Sequence, residues 1–282
     1  MRKNLTILPV IIIPAIVAGC GIWAWRRFGP STYMRFNTLF GRTRVYQVED
    51  DTGAPVRLLE VGGIVQSGTY LDERYTELVF EYLKRYDLMF KAERPIKRVC
   101  VLGCGGYDYP EHLIAHYDSI VVDAVEIDPA ITAIAKQYFY LDRLIAEFDL
   151  ESSGRLNLIN ADAAEHLASC DTCYDAIVND TFDAGTPPLH LTTPAFAHLV
   201  HERLADGGVF LTNIVSALEG PGATFLHEQV DLLGCEFAHV YVVPCATDTL
   251  AEPDNVIVIA TDGTMTDVPP SHLTTRSPLW ED

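Results

Sequence analysis

The chain is short of positive charge: 20 Lys and Arg face 39 Asp and Glu across 282 residues, a net of −19. What basic charge exists is gathered at one end. Residues 1–44 hold seven Lys or Arg and no acid, which leaves the remainder at 13 against 39, a net of −26. A body of that sign excludes nucleic-acid binding through phosphates, so no nucleic-acid partner is expected. It suits a small cationic substrate instead. A disulfide framework is also lacking. Cys20, Cys100, Cys104, Cys170, Cys173, Cys235 and Cys245 are odd in number and scattered, which argues for a reducing compartment. Cys170-x-x-Cys173 has neither a second pair nor a neighbouring His, so no metal is expected. Internal repeats and low-complexity tracts are absent.

One stretch lacks charge altogether. Residues 5–25, LTILPVIIIPAIVAGCGIWAW, are long enough to span a bilayer as a helix of ~20 residues. Trp23 and Trp25 sit at one end, where aromatic rings favour the interface, and Arg26-Arg27 follow. Pro9 and Pro14 are better tolerated in a membrane helix than in a soluble one. The run also fits a lipoprotein signal with Cys20 as the lipidated residue, or an apolar segment docked on the protein. Its continuation past Cys20 favours an uncleaved anchor. The positive-inside bias of Arg26, Arg27, Arg35, Arg42 and Arg44 then places the main body in the cytoplasm, on a single-pass cell-membrane protein.

The expected organisation is an anchor over 1–27, a linker over 28–42, a small β-hairpin unit over 43–70, a main domain over 71–261 and a tail over 262–282. Thr43–Val48 and Val56–Val61 alternate around a turn-rich segment, and Ile64–Gln66 adds a short strand. Leu71, Tyr75, Leu78, Val79, Tyr82, Leu83 and Tyr86 recur at helical spacing over 71–91. Strands and helices then alternate, which predicts an α/β domain with a mostly parallel sheet. The last two strands, 237–243 and 255–260, have no room for a helix between them and predict an antiparallel edge.

The main domain is built around residues 97–128, KRVCVLGCGGYDYPEHLIAHYDSIVVDAVEID. A strand runs into Gly103-Cys104-Gly105-Gly106, a helix follows, and a second strand ends on Glu126-Ile127-Asp128. Glycines let a backbone approach a ligand closely, and an acid closing the second strand can take both ribose hydroxyls. The dinucleotide fingerprint is incomplete, because Gly103-x-Gly105 has no third glycine at the right offset. A pyrophosphate therefore fits poorly. A nucleoside without phosphates fits better, such as S-adenosylmethionine or its decarboxylated form. Asp162 and Asp180 close the next two strands, on the rim where open α/β sheets bind ligands.

These features resemble the spermidine synthase family of aminopropyltransferases, which share a Rossmann-like, methyltransferase-type fold. The resemblance covers roughly residues 43–261. It rests on Gln66, Asp72-Glu73, Tyr75-x-Glu77, the glycine turn, Val125–Pro129, Asp162-Ala163 and Tyr174-Asp175-Ala176-Ile177-Val178-x-Asp180-x-x-Asp183. It implies decarboxylated S-adenosylmethionine as co-substrate, held by Gly103, Gly105, Glu126, Asp162 and Ala163. Asp162 reads the adenine amino group, Asp180 acts as general base, and Asp183 orients the amine, with Gln66 or Tyr75 holding the remaining amine. It also implies a homodimer through the β unit. Two departures stand out. The family's turn carries an Asp where this chain has Gly106, with Asp108 two residues on as a candidate replacement. The anchor is absent from ordinary soluble members. The rival readings are a methyltransferase using intact S-adenosylmethionine and a non-catalytic ligand-sensing module at the membrane.

Overall fold

The computed structural model describes residues 33–181, 187–245 and 250–268. The proposed anchor, Asp183 and the C-terminal tail from 269 onward lie outside the described residues. Among those described, no helix is long and apolar enough to cross a membrane.

Four antiparallel strands come first: β1 (Tyr33–Thr38), β2 (Gly41–Glu49), β3 (Pro55–Val61) and β4 (Ile64–Tyr70), paired in chain order. β1 falls in the stretch expected as a linker. Its Met34 and Phe36 alternate with Arg35 and Asn37, a period of two, and both pack against the core. β4 carries a bulge. Leu59 pairs with Ser67 and Glu60 with Val65, leaving Gln66 as the extra residue.

The helix expected over 71–91 is mostly not one. Only Glu81–Lys84 (α1) is α-helical, followed by a 3-10 segment at Arg85–Lys91. Asp72 takes the backbone N–H of Arg74 at 2.9 Å, a local turn that competes with helical bonding. Of the apolar positions, Tyr75, Leu78, Leu83 and Tyr86 are still buried, and Leu71, Val79 and Tyr82 are half-buried. The spacing reported burial rather than backbone geometry.

The main sheet uses β5 (Arg98–Leu102), β6 (Val121–Glu126), β7 (Leu156–Asn160), β8 (Tyr174–Asn179), β9 (Leu204–Ser216), β10 (His239–Pro244) and β11 (Asp254–Thr261). Their order is β10-β11-β9-β8-β5-β6-β7. The pairs β5–β6, β6–β7, β5–β8 and β8–β9 are parallel, while β11 runs antiparallel to both β9 and β10. The final hairpin thus inserts its second strand into the sheet and leaves β10 at the edge. Val99, Val101, Ala176, Val178 and Leu211 enter one core; Cys100, Leu102, Ile177 and Phe210 enter the other. That alternation is the mark of strands buried on both faces.

Three crossover helices open on side-chain caps, at Asp128, Asp162 and Thr193. α2 (Asp108–His116) follows the glycine turn. In α3 (Pro129–Tyr138) Asp128 is the cap and Pro129 the first helical residue. α4 (Leu141–Glu147), α5 (Leu150–Ser153), α6 (Ala163–Ser169), α7 (Pro194–Arg203) and α8 (Thr224–Glu236) complete the layers.

Candidate functional site

The carboxyl ends of β5, β6 and β8 converge on the glycine turn. Gly103 adopts φ +79°, and a Cβ there would lie 2.5 Å from the Asp180 carbonyl oxygen. The chain leaving β8 therefore passes directly against the turn, and only glycine permits it. Gly105 has φ +50°, with its Cβ position 2.6 Å from Ser67 Oγ. Ser67 Oγ in turn accepts the Gly106 N–H at 2.7 Å. Ser67 comes from β4, so the small N-terminal sheet clamps the turn from one side and β8 from the other.

Glu126 is held by three backbone N–H groups. Its Oε2 accepts the Cys104 and Gly105 N–H groups at 3.1 and 3.2 Å, and its Oε1 accepts the Asp128 N–H at 2.9 Å. A carboxylate offers about four acceptor positions, so capacity for a further donor remains. Burial pushes this carboxyl up despite the three backbone donors. Asp128, beside it, caps Ala130 with Oδ1 and takes the Leu39 N–H with Oδ2 at 2.6 Å. The β1–β2 turn is thereby docked at the end of β6.

Asp180 is the centre of the polar cluster on the other side of the turn. Tyr82 donates its hydroxyl to Oδ2 at 3.2 Å, and Asn213 on β9 donates its amide to Oδ1 at 3.3 Å. Burial pushes Asp180 up to about 6, against the lowering effect of Asn213 and of the Tyr82 and Tyr86 hydroxyls. Asp108 accepts the Gly68 N–H at 2.9 Å. It is pushed up to about 7, first by burial and also by the charge on Asp180, while the Gly68 bond lowers it. The position of a Cβ on Gly106 lies 2.7 Å from Asp108 Oδ1 and 2.8 Å from Ser67 Cβ. Asp108 thus fills the space that a side chain at 106 would enter. An acid therefore stands beside residue 106 although that position is itself glycine.

Other expected residues are engaged elsewhere. Asp162 caps α6, with Oδ1 accepting the Ala164 and Glu165 N–H groups and Oδ2 2.9 Å from His190 Nε2. Burial alone would raise its carboxyl, but the His190 contact and the two N–H groups hold it below the usual range. Ala163 is the first residue of α6 and is buried. The Tyr75 hydroxyl donates to Glu147 Oε2 at 2.8 Å, and the Arg143 guanidinium lies 4.1 Å over its ring. Gln66 is half-buried in its bulge, adjacent to Ser67. Hydrogen bonds and close approaches therefore gather Gly103, Gly105, Asp108, Glu126 and Asp180 around one turn. Tyr75 and Asp162 are tied to partners of their own. Ser67, Tyr82, Asn213 and His190 were not anticipated from sequence as site residues. Among the described residues, no cluster of three His, Cys, Asp or Glu is placed to hold a metal ion.

Comparison with known proteins bears on this arrangement. Residues 79–261 match the family model described as the spermine/spermidine synthase domain. A polyamine aminopropyltransferase of Vibrio vulnificus is 28% identical over 160 residues, which are 55% of this chain and 50% of the relative. The human eEF1A lysine and N-terminal methyltransferase is 30% identical over 127 residues, 41% of this chain and 17% of that protein. The chain thus spans half the length or less of these two curated relatives. The crystal structure of a probable spermidine synthase from Corynebacterium glutamicum superposes with a TM-score of 0.69 at 18% identity, covering 83% of this chain and 82% of that one. The last likeness is one of fold.

Proposed function

The chain belongs to the spermine/spermidine synthase domain family, and on that premise we propose that it transfers an aminopropyl group from decarboxylated S-adenosylmethionine to a polyamine such as putrescine. The observation that carries this reading is the pair of half-buried acids, Asp108 and Asp180, beside the glycine turn, close enough for the Asp180 charge to raise Asp108. Their hydrogen-bond partners are the Gly68 N–H for Asp108 and Tyr82 and Asn213 for Asp180, none of them a Lys or Arg. Acids without internal counter-ions suit a ligand that brings its own positive charge. Both the donor and a diamine do so.

The residues divide the work as follows. The glycine turn and Glu126 hold the nucleoside, with the ribose hydroxyls donating to the remaining acceptor capacity of Glu126. Asp108 receives the terminal ammonium of the donor. Asp180 attracts the ammonium of the acceptor and takes its proton. The freed amine forms a bond to the carbon next to sulfur, the carbon–sulfur bond breaks, and its electron pair stays on sulfur as a neutral thioether, methylthioadenosine. Most of the rate comes from alignment of amine, carbon and sulfur. Proton acceptance at Asp180 adds a general-base contribution. Asp162 and Ala163 border the adenine in this reading, with His190 giving way on Asp162. Gln66, Tyr75 and Asp183 are assigned to the far end of the acceptor by family resemblance alone.

A methyltransferase using intact S-adenosylmethionine is the second reading, favoured by the match to the human methyltransferase. The two differ at Asp108. An acid at that place disfavours a donor that keeps its own carboxylate. Calorimetric titration of the full chain with both donors tests the choice. The decarboxylated form is expected to bind at least tenfold more tightly, about 1.4 kcal/mol. Tighter binding of the intact form overturns the assignment. We further propose, from the uncharged run over 5–25 and the flanking arginines, that the protein is held at the cell membrane with this domain in the cytoplasm. Pairing through the β unit into a homodimer is proposed by resemblance.

A further inference from the structure

The turn between β1 and β2 departs from the usual chemistry of a hairpin tip. Such turns favour Gly, Asn, Asp and Ser. Here Leu39 and Phe40 occupy it, 67% and 40% exposed, followed by Gly41 at φ +103°. A single exposed apolar residue is ordinary, but two bulky neighbours at a projecting turn gain little from the protein's own core. The backbone is nevertheless fixed. The Leu39 N–H is bonded to Asp128 Oδ2 at 2.6 Å, while both side chains stay exposed.

The strands behind this tip are basic. Arg35 lies opposite Arg44 and Asn37 opposite Arg42 across the β1–β2 ladder, and directly opposed residues share a sheet face. Arg35 and Arg42 are exposed, and Arg44 is half-buried and paired with Glu60. Tyr33 completes the face, with the Arg35 guanidinium 4.9 Å over its ring. Like charges set opposite one another are destabilising, so the fold itself gives no reason for Arg35 to face Arg44. The sign of this face is also opposite to that of the rest. Residues 1–44 carry seven Lys or Arg and no acid, against a net of −26 beyond them. An anionic surface therefore attracts this face and repels most of the remaining molecule.

Chain length decides what that surface is. Seven residues, 26–32, separate the uncharged run over 5–25 from Tyr33, and they span at most about 30 Å. With the run held in a bilayer, β1 stays within that reach of the headgroups. Apolar side chains flanked by arginines are the composition that enters a headgroup region. A second copy fits this face less well, because edge-to-edge pairing along β1 would bring the arginines of both copies together. The homodimer proposed above then uses another part of the β unit.

We propose that the β1–β2 hairpin docks on anionic lipid, with Leu39 and Phe40 entering the headgroup region and Arg35 and Arg42 pairing with lipid phosphates. This rests on the membrane attachment proposed above and goes beyond it, since the contact is made by the folded domain. The Leu39 N–H is tied to Asp128, whose own N–H is bonded to Glu126. Docking therefore sets the nucleoside end of β6 beside the membrane surface.

The test uses the full chain in nanodiscs of phosphatidylcholine with or without phosphatidylglycerol, and Phe40→Trp as reporter. Its emission is taken as the difference from the wild type. In anionic discs that emission should be quenched by lipids brominated near the headgroup end of their chains, and shielded from aqueous iodide. Arg35→Gln with Arg42→Gln, or high salt, should cut the bromolipid quenching about twofold or more. An unchanged Tm reports that the reporter variant is folded; should it not fold, Leu39→Trp gives the same readout. A reporter open to iodide and untouched by bromolipid in anionic discs overturns the docking. A reporter shielded from both, increasingly so with more protein per disc, overturns it in favour of a second copy. Retention of the wild-type chain on discs at high salt and alkaline pH reads the anchor separately. Loss of retention with bromolipid quenching intact at low salt overturns the anchor and supports the hairpin contact; retention with an iodide-exposed reporter does the reverse.

Discussion

Asp180 as the proton acceptor makes the pH dependence of transfer a quantitative matter. Its carboxyl is pushed up to about 6 by burial, and only the ionised form takes a proton from the acceptor ammonium. At pH 7 about nine-tenths of such a group is ionised, and at pH 5 about one-tenth. An amine of pKa about 10 arrives protonated through this whole range. With the donor saturating, so that Asp108 is already paired with its ammonium, kcat/KM for the acceptor should therefore fall about tenfold per unit below pH 6 and stay level from about pH 7 to 9. Tyr82→Phe removes a donor that stabilises the charged form, so it should raise the pKa and move the acid limb upward, by about half a unit to one unit. The assay is initial-rate formation of methylthioadenosine over pH 5–9. A rate that keeps rising tenfold per unit above pH 7 would mean that free amine is drawn from solution, and would refute Asp180 as the acceptor. An acid limb that stays in place in Tyr82→Phe would refute the hydrogen-bond argument.

Two further outcomes follow from the same geometry. Asp108→Asn should stabilise the ligand-free protein near pH 8. The folded pKa of about 7 lies above the ordinary carboxylate value, so the wild type loses stability as pH rises through that interval; removing the charge should recover up to about 4 kcal/mol, read as a higher Tm that vanishes near pH 4. Ser67→Ala should leave the Gly106 N–H without its acceptor, costing about 1–3 kcal/mol in thermal or denaturant unfolding and weakening methylthioadenosine binding through a loosened turn.

The β5–turn–β6 unit was legible in the sequence because its signals are local. Apolar strands, glycines with positive φ and a strand-closing acid all lie within about thirty positions, and the structure brings Glu126 onto the Cys104 and Gly105 N–H groups of the turn. The caps at Asp128, Asp162 and Thr193 are equally local, each side-chain oxygen taking a helical N–H two or three residues on. What the sequence did not show depends on partners far along the chain. Ser67 meets the turn across 39 residues, Tyr82 meets Asp180 across 98, and Asn213 meets it across 33. No window of local spacing joins such pairs. Residues 71–91 misled for a different reason: a helical period of apolar residues reports which side chains are buried, and an aspartate-headed turn can satisfy it without a helix. β1 carried a short period-two signal at Met34 and Phe36 that the basic residues around it obscured. Asp162 carries an ambiguous signal, since a strand-closing acid and a helix cap use the same atoms, and in the structure its Oδ1 is the cap.

Aminopropyl transfer dependent on Asp180 is the central claim, and product analysis tests it most directly. The full chain is incubated with putrescine and either decarboxylated or intact S-adenosylmethionine, and products are identified by mass spectrometry. The account predicts an amine lengthened by one aminopropyl unit together with methylthioadenosine, from the decarboxylated donor only, and no product in Asp180→Asn. A methylated product with S-adenosylhomocysteine from the intact donor, or full turnover in Asp180→Asn, would contradict it.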